Sequence, residues 1–239
     1  MFHEYSSVIQ DLTFKHTGYV LTESQIDQFC LYGDLLQEWN LRMNLTRITE
    51  PHEVILKHFI DSMILAKFLS GSCFADLGTG AGFPGVPLKI LRPELDVILM
   101  DSLKKRLGFL DVVISKLDLS GIMTVHARTE EFGNNPVYRG HFDTVSSRAV
   151  ARLPILLEYA LPVLKVNGLF LAPKGSQIDI ELAESHKALK MLGGEVEGIE
   201  RYNLGEGAEY RGIILIRKVK ETPLKYPRQP GTPVKNPLV

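Results

Sequence analysis

The chain has 239 residues, 27 basic and 28 acidic side chains, a formal net charge of −1 and 45% hydrophobic residues. That composition sustains a sizeable core, excludes wholesale disorder, and leaves any nucleic-acid partner to be met by a local patch rather than by global charge. The length suits one medium domain with an appendage, and no apolar run approaches the roughly 20 residues that span a bilayer.

The opening stretch "MFHEYSSVIQDLTFKHTGY" has no basic segment followed by an uninterrupted apolar core, so no secretion signal is expected. Residues 22–69 read as helical. Thr22-Glu23-Ser24-Gln25 has capping-box form, and Ile26, Phe29, Tyr32, Leu35, Leu36 and Trp39 follow at three- and four-residue spacing on one face. A second helix is expected from Thr49-Glu50-Pro51 through Val54, Ile55, Phe59, Leu65 and Leu69, because proline costs no hydrogen bond in a first turn. Cys30 and Cys73 sit far apart in apolar patterns with no C-x-x-C, so a disulfide is poorly motivated and a reducing cytoplasm is the expected compartment.

From Cys73 the pattern changes to short apolar runs alternating with amphipathic segments. "CFADLG", "LDVILMD", "IMTVHA", "FDTVSS" and "GLFLAP" are predicted strands, separated by the helical stretches "VPLKIL", "LKKRLGFLDVVISKL" and "ARLPILLEYALPVL" and followed by "DIELAESHKALKML". Such alternation specifies a parallel sheet with helices on both faces. "EVEGIERYNL" and "YRGIILIRKV" then predict an antiparallel hairpin joined by a Gly-containing loop. The predicted architecture is a seven-stranded, Rossmann-like α/β sheet of the class I methyltransferase type with an N-terminal helical extension. Its segments are a helical region over 1–70, a cofactor domain over 71–218 and a basic, proline-rich tail over 219–239.

The loop "ADLGTGAGFPG" follows the first strand and precedes a helix, where open α/β sheets bind nucleotides. It satisfies a dinucleotide pattern, but two neighbours argue against pyrophosphate. Asp76 places a carboxylate at the strand end, which repels phosphate, and Pro84 removes a backbone N–H where a phosphate site needs donors. A ligand carrying an ammonium and a sulfonium tolerates both, which points to S-adenosylmethionine over Asp76, Gly78, Gly80 and Phe83. Asp101, about 20 residues on, is positioned to accept ribose hydroxyls, a feature shared with nicotinamide enzymes.

Several polar positions remain open to two readings. Arg148 holds cofactor or ribose-phosphate, or forms an ion pair at the sheet edge; Lys174 meets a base oxygen or phosphate, or is a solvated loop lysine. The catalytic residues are left unassigned, with these two as the candidates, and no His/Cys/carboxylate cluster suggests a metal. His58, Asp61 and Ser62 share a helical face, near a target pocket or as a hydrogen-bonded helix contact. Asn40 and Asn44 brace a turn or touch RNA, and Lys104, Lys105 and Arg106 contact phosphate or form a solvated face. From Lys218 onward five basic residues oppose Glu221 alone, so Lys225, Tyr226 and Arg228 are RNA-contact candidates on an extended arm, unless the tail is simply disordered.

An ordered series of motifs gives the chain a close resemblance to the RsmG (formerly GidB) family of bacterial rRNA methyltransferases. "LLQEWNLRMNLTRI", "HFIDS", "ADLGTGAGFPG", "DSLKKRLGFL", "ARTEEF", "SSRAV", "PKG" and "KYPRQPGTPVKNPL" carry it across nearly the whole chain. The resemblance implies that Gly78 and Phe83 line an S-adenosylmethionine site, that Thr129 and Glu130 flank the adenine, and that Arg148 lies at the cofactor edge. It further implies methylation of N7 of one guanosine in the decoding-region loop of 16S rRNA, within the small subunit or a precursor, by a monomer. A nicotinamide-dependent oxidoreductase and a non-catalytic cofactor-binding assembly factor are the competing readings.

Overall fold

The computed structural model describes residues 1–148, 150–205 and 210–239. Ala149 of the "SSRAV" motif and most of the loop expected to join the last two strands lie outside the described residues.

A 3-10 turn (Phe2–Tyr5) leads into α1 (Ser6–Thr17), a helix that starts earlier than the predicted helical region, and then α2 (Glu23–Met43). Thr22 caps α2 through the expected reciprocal pair, its hydroxyl accepting from Gln25 N–H while the Gln25 side chain accepts from Thr22 N–H. The next helical segment changes pitch as it runs: α3 (Pro51–Val54), a π-helical turn (Ile55–Ile60), α4 (Asp61–Met63) and a 3-10 turn (Ile64–Phe68). In the π turn Asp61 N–H reaches back to Leu56 C=O, five residues away, a widening often found at functional sites.

The sheet comprises β1 (Cys73–Leu77), β2 (Asp96–Asp101), β3 (Ile122–His126), β4 (Phe142–Ser146), β5 (Leu164–Lys174), β6 (Gly194–Tyr202) and β7 (Arg211–Lys218). Their order is β3-β2-β1-β4-β5-β7-β6, with β7 antiparallel to both neighbours and the first five strands parallel. Connecting helices are α5 (Gly85–Leu91), α6 (Lys104–Lys116), α7 (Thr129–Asn134), α8 (Leu153–Ala160), α9 (Ile178–Ala183) and α10 (His186–Leu192), with a final turn α11 (Thr232–Lys235). The chain reverses sheet direction between β1 and β4, which opens a crevice beyond their carboxyl ends.

Two cores flank the sheet. One packs the N-terminal helices, α5 and α6 on it through Phe2, Phe29, Tyr32, Phe59, Leu99 and Phe109; the other packs α8 and α10 through Val145, Leu157, Phe170, Leu192 and Ile214. Phe59 is the aromatic hub of the first, with ring centroids 5.3 Å from Phe29, 5.4 Å from Tyr32 and 6.2 Å from Phe83. A Phe→Ala change in such a site costs about 3–5 kcal/mol. The N-terminal helices are thereby fixed against the glycine loop, and Tyr32 donates its hydroxyl to Ala81 C=O at 2.5 Å.

The tail is not an extended arm. Tyr226 is buried, Arg139 donates to the carbonyls of Thr222, Pro223 and Tyr226, and Asn134 donates to Pro227 C=O. Arg228 forms a bidentate pair with buried Glu158 of α8 at 2.6 to 3.2 Å. Among the described residues no helix is long and apolar enough to cross a membrane.

Candidate functional site

The glycine loop turns sharply after β1 because Gly78, Gly80 and Gly82 adopt positive φ of 71°, 62° and 100°, a region closed to most side chains. Gly78 and Thr79 N–H both donate to Met100 C=O, which ties the loop to the end of β2. Beneath it, Asp76 Oδ2 accepts from Thr79 Oγ1 at 2.7 Å and from Gly85 N–H at 2.9 Å. The carboxylate is fully buried and does not line the crevice, so it lies below the loop rather than facing a ligand as expected. It also occupies the first N–H of α5, the donor a phosphate would seek. Burial pushes its pKa up to about 6, against the downward pull of Thr79, Gly85 and Arg148. Its Oδ1 has no hydrogen-bond partner among the described residues.

The crevice above the loop is a cleft of about 410 Å³ that brings together Gly78, Thr79, Gly80, Phe83, Asp101 and Thr129 with His58 and Arg148. A Cβ placed on Gly80 meets no protein atom within 4 Å, so this backbone is open to a close-lying ligand. Asp101 closes the edge of the cleft, accepting from Gly80 N–H at 3.0 Å and Leu103 N–H at 2.8 Å, with Arg106 at 3.4 Å. Thr129 lines the cleft, but the Glu130 side chain points away from it: its Oε1 accepts from Tyr159 O–H at 3.3 Å and Gly231 N–H of the tail at 2.9 Å.

At the far end of the cleft His58 stacks on Phe83, centroids 4.6 Å apart at 17°, and Arg148 lies 5.1 Å above the same ring. Arg148 Nη2 donates to His58 Nδ1 at 3.1 Å, and His58 Nε2 lies 2.8 Å from Thr46 Oγ1. Arg148 Nη1 donates to Lys57 C=O and to buried Asp61 Oδ2 at 3.1 Å. Asp61 also accepts from Arg211 at 2.8 Å and from Tyr202 O–H at 2.7 Å. Burial and this carboxylate push the Tyr202 pKa up. Ser62 faces elsewhere, donating to His58 C=O.

This network separates the cleft from a second cavity of about 660 Å³ lined by Lys57, Asp61, Arg152, Lys174, Tyr210 and Arg211, and the two cavities share His58, Arg148 and Val150. Lys174 reaches this wall but is not solvated: it pairs with Glu181 at 2.7 Å and donates to Ala151 C=O at 2.9 Å. Burial pulls its pKa down. Among the described residues no group of three or more His, Cys, Asp or Glu could hold a metal ion.

The structure therefore gathers Gly78, Gly80, Phe83, Asp101, Thr129, Arg148, His58 and Lys174 around one double cleft. It gives Tyr226 and Arg228 packing and ion-pair roles, with only Lys225 of that trio exposed. Asn40 braces the turn after α2 through both Thr46 N–H and C=O, and Asn44 ends that helix at φ 49°. Sequence reasoning took Arg106 for a phosphate contact or part of a solvated face, whereas it reaches Asp101, and it missed Thr46, Tyr202 and Arg211. Only the last had a visible signal, a charged residue opening an otherwise apolar strand.

A family profile described as rRNA small subunit methyltransferase G matches residues 25–207. The ribosomal RNA small subunit methyltransferase G of Desulfitobacterium hafniense (strain Y51) is 55% identical over 239 residues, covering 100% of both chains. That of Acetivibrio thermocellus is 52% identical over 223 residues, 92% of each chain. Among solved structures, a SAM-dependent methyltransferase from Aquifex aeolicus superposes with a TM-score of 0.55 at 16% identity, covering 73% of this chain and 97% of that one. TYW2 of Pyrococcus horikoshii in complex with MeSAdo gives 0.53 at 15%, covering 67% and 62%. At those identities the likeness is one of fold.

Proposed function

The chain belongs to the rRNA small subunit methyltransferase G family, and from that premise we propose that it methylates N7 of one guanosine of 16S rRNA. The protein is an S-adenosylmethionine-dependent rRNA methyltransferase. The observation that carries the choice of atom is the occupancy of every acidic or imidazole acceptor along the double cleft. His58 takes Arg148, Asp61 takes two arginines and a tyrosine, Asp101 takes two backbone N–H groups, and Glu181 takes Lys174 and Leu153 N–H. Among the described residues no free general base lines the cleft. Guanine N7 needs none, because its in-plane lone pair carries no proton, whereas an exocyclic amine or a hydroxyl needs its proton removed.

The residues present suit the cofactor. Gly78 and Gly80 let backbone approach it, Gly80 without a protein neighbour in the way; Asp101 borders a ribose position, Thr129 an adenine position, and Arg148 the edge nearest the second cavity. Asp76 adds negative charge beneath the loop, which favours a cation above it. S-adenosylmethionine supplies a methyl group on a sulfonium for in-line displacement by the N7 lone pair. The protein's contribution is then positioning: Phe83, His58 and Arg148 form a stacked wall between the cavities, and the buried Asp61 network holds that wall in place.

A nicotinamide oxidoreductase is disfavoured by the antiparallel β7 and by the occupied N-terminus of α5. The family reading further suggests a cytoplasmic monomer acting on 16S rRNA, free or in the small subunit. Mapping N7-methylguanosine in 16S rRNA from cells with and without the protein tests the proposal, and an unchanged map overturns it in favour of an assembly factor without catalysis.

A further inference from the structure

The cofactor cleft ends, on its Thr129 side, at a helix too short to place itself. Helix α7 has six residues, less than two turns, and its first residue, Thr129, lines the cleft. A helix of that length has almost no stability of its own, so its position is set by what packs against it.

The C-terminal tail packs along α7 from one end to the other. At the carboxyl end Asn134 donates to Pro227 C=O at 3.0 Å, and a Cβ placed on Gly133 would come 2.8 Å from Pro227 Cγ, so the tail lies directly on the helix. At the amino end Gly231 N–H donates to Glu130 Oε1 at 2.9 Å. Between these two points Arg228 holds Glu158 of α8 through its backbone N–H and its guanidinium. Beyond them Pro233 and Leu238 are buried, Leu238 in the core that packs α8.

Glu130 and Glu158 are 6% and 0% exposed, and a carboxylate taken out of water needs donors. Glu158 has a guanidinium. Glu130 has no cation within ion-pair distance among the described residues, so its Oε1 depends on the Tyr159 hydroxyl at 3.3 Å and on the closer N–H of the tail. Undocking the tail would leave a buried carboxylate short of a donor one residue from the cleft wall. Helix α7 would then have to move to bring that carboxylate to water.

We propose that the C-terminal tail is part of the cofactor site: by bracing α7 at both ends it fixes Thr129 against the adenine, so that tail docking and cofactor binding strengthen each other. The inference rests on the placing of the adenine at Thr129 in the reading above. Glu130 and Gly231 are then positioning residues, acting on the cofactor through Thr129 without touching it. Such coupling is reciprocal: whatever affinity the tail adds to the cofactor, the cofactor adds to tail docking.

The test is calorimetry with S-adenosylhomocysteine on the full chain, on a chain ending at Arg228, on Glu130→Ala in each, and on Thr129→Tyr. Methyl transfer to small subunits from cells lacking the protein runs alongside. The shortened chain is expected to bind about tenfold more weakly, a usual size for coupled sites. Its KM for S-adenosylmethionine should rise by the same factor with kcat unchanged, the signature of lost uniform binding. Glu130→Ala should weaken binding about tenfold in the full chain and add nothing in the shortened one, because both changes remove the same contact. Hydrogen exchange on the full chain reads the converse: saturating S-adenosylhomocysteine should slow the Gly231 amide at least about tenfold. Wild-type affinity in the shortened chain, equal weakening of both chains by Glu130→Ala, or a Gly231 amide indifferent to the ligand overturns the inference. Should the shortened chain fail to fold, the Gly231 exchange decides. Thr129→Tyr fills the adenine position and should abolish binding, whereas normal binding in that variant would refute the site reading from which the inference starts.

Discussion

Arg148 Nη2 donates to His58 Nδ1 at 3.1 Å, and because a guanidinium carries only donors the imidazole nitrogen must be the acceptor. His58 is therefore the neutral tautomer with its proton on Nε2, which donates to Thr46 Oγ1 at 2.8 Å. Burial, reinforced by Arg148, holds its pKa down to about 3 from 6.5. The unfolded chain thus binds a proton below about pH 6.5 that the folded chain refuses until about pH 3. Stability contributed by this histidine is complete above pH 6.5 and is lost as pH falls. Comparing His58→Gln with wild type by urea unfolding at pH 7 and pH 5 should show the difference moving in the variant's favour at pH 5. A difference independent of pH would show that His58 titrates normally.

Asp76 separates two roles that the sequence had merged. One oxygen holds Thr79 and Gly85, so Asp76→Ala should lower stability by about 1–3 kcal/mol and loosen the loop. Asp76→Asn can keep an oxygen at that position while removing the charge. It is expected to retain stability to within about 1 kcal/mol yet bind S-adenosylmethionine more weakly. Equal cofactor affinity for Asp76→Asn and wild type, by calorimetry, would mean that the loop's shape and not the buried charge selects the cation.

Gly78 and Gly80 differ in what surrounds them although both have positive φ. A Cβ on Gly78 comes 2.5 Å from Val150 Cγ2, whereas one on Gly80 enters open cleft. Gly80→Ala should therefore cost only the backbone strain, about 1–2 kcal/mol, while cofactor affinity falls at least tenfold. Gly78→Ala should lose stability beyond that strain. Thermal melts with and without S-adenosylhomocysteine distinguish them, and a Gly80→Ala protein that binds normally would place the ligand away from this loop.

Arg228 illustrates how a basic tail can serve the fold. Removing it strands the Glu158 carboxylate, 1% exposed, without its guanidinium, so Arg228→Ala should destabilise by about 3–5 kcal/mol. Lys225, exposed beside it, should tolerate Ala within about 0.5 kcal/mol. If Arg228→Ala instead melts like wild type but weakens RNA binding, the tail acts as an arm after all.

The strands, the order of helices between them and the glycine loop were legible because each depends on near neighbours: alternating apolar runs, a capping box at Thr22, glycines where φ turns positive. The closing antiparallel hairpin could be read for the same reason. What could not be read is which polar groups would meet. Asp61 joins Arg148, Arg211 and Tyr202 across sequence separations of 87, 150 and 141 residues. Sequence spacing also pointed Asp76 toward the ligand, where the structure turns it under the loop, and gave no sign that Arg228 would find Glu158. Those choices fall to tertiary packing, because a buried charge must find a partner and local sequence does not reveal which distant residue arrives beside it.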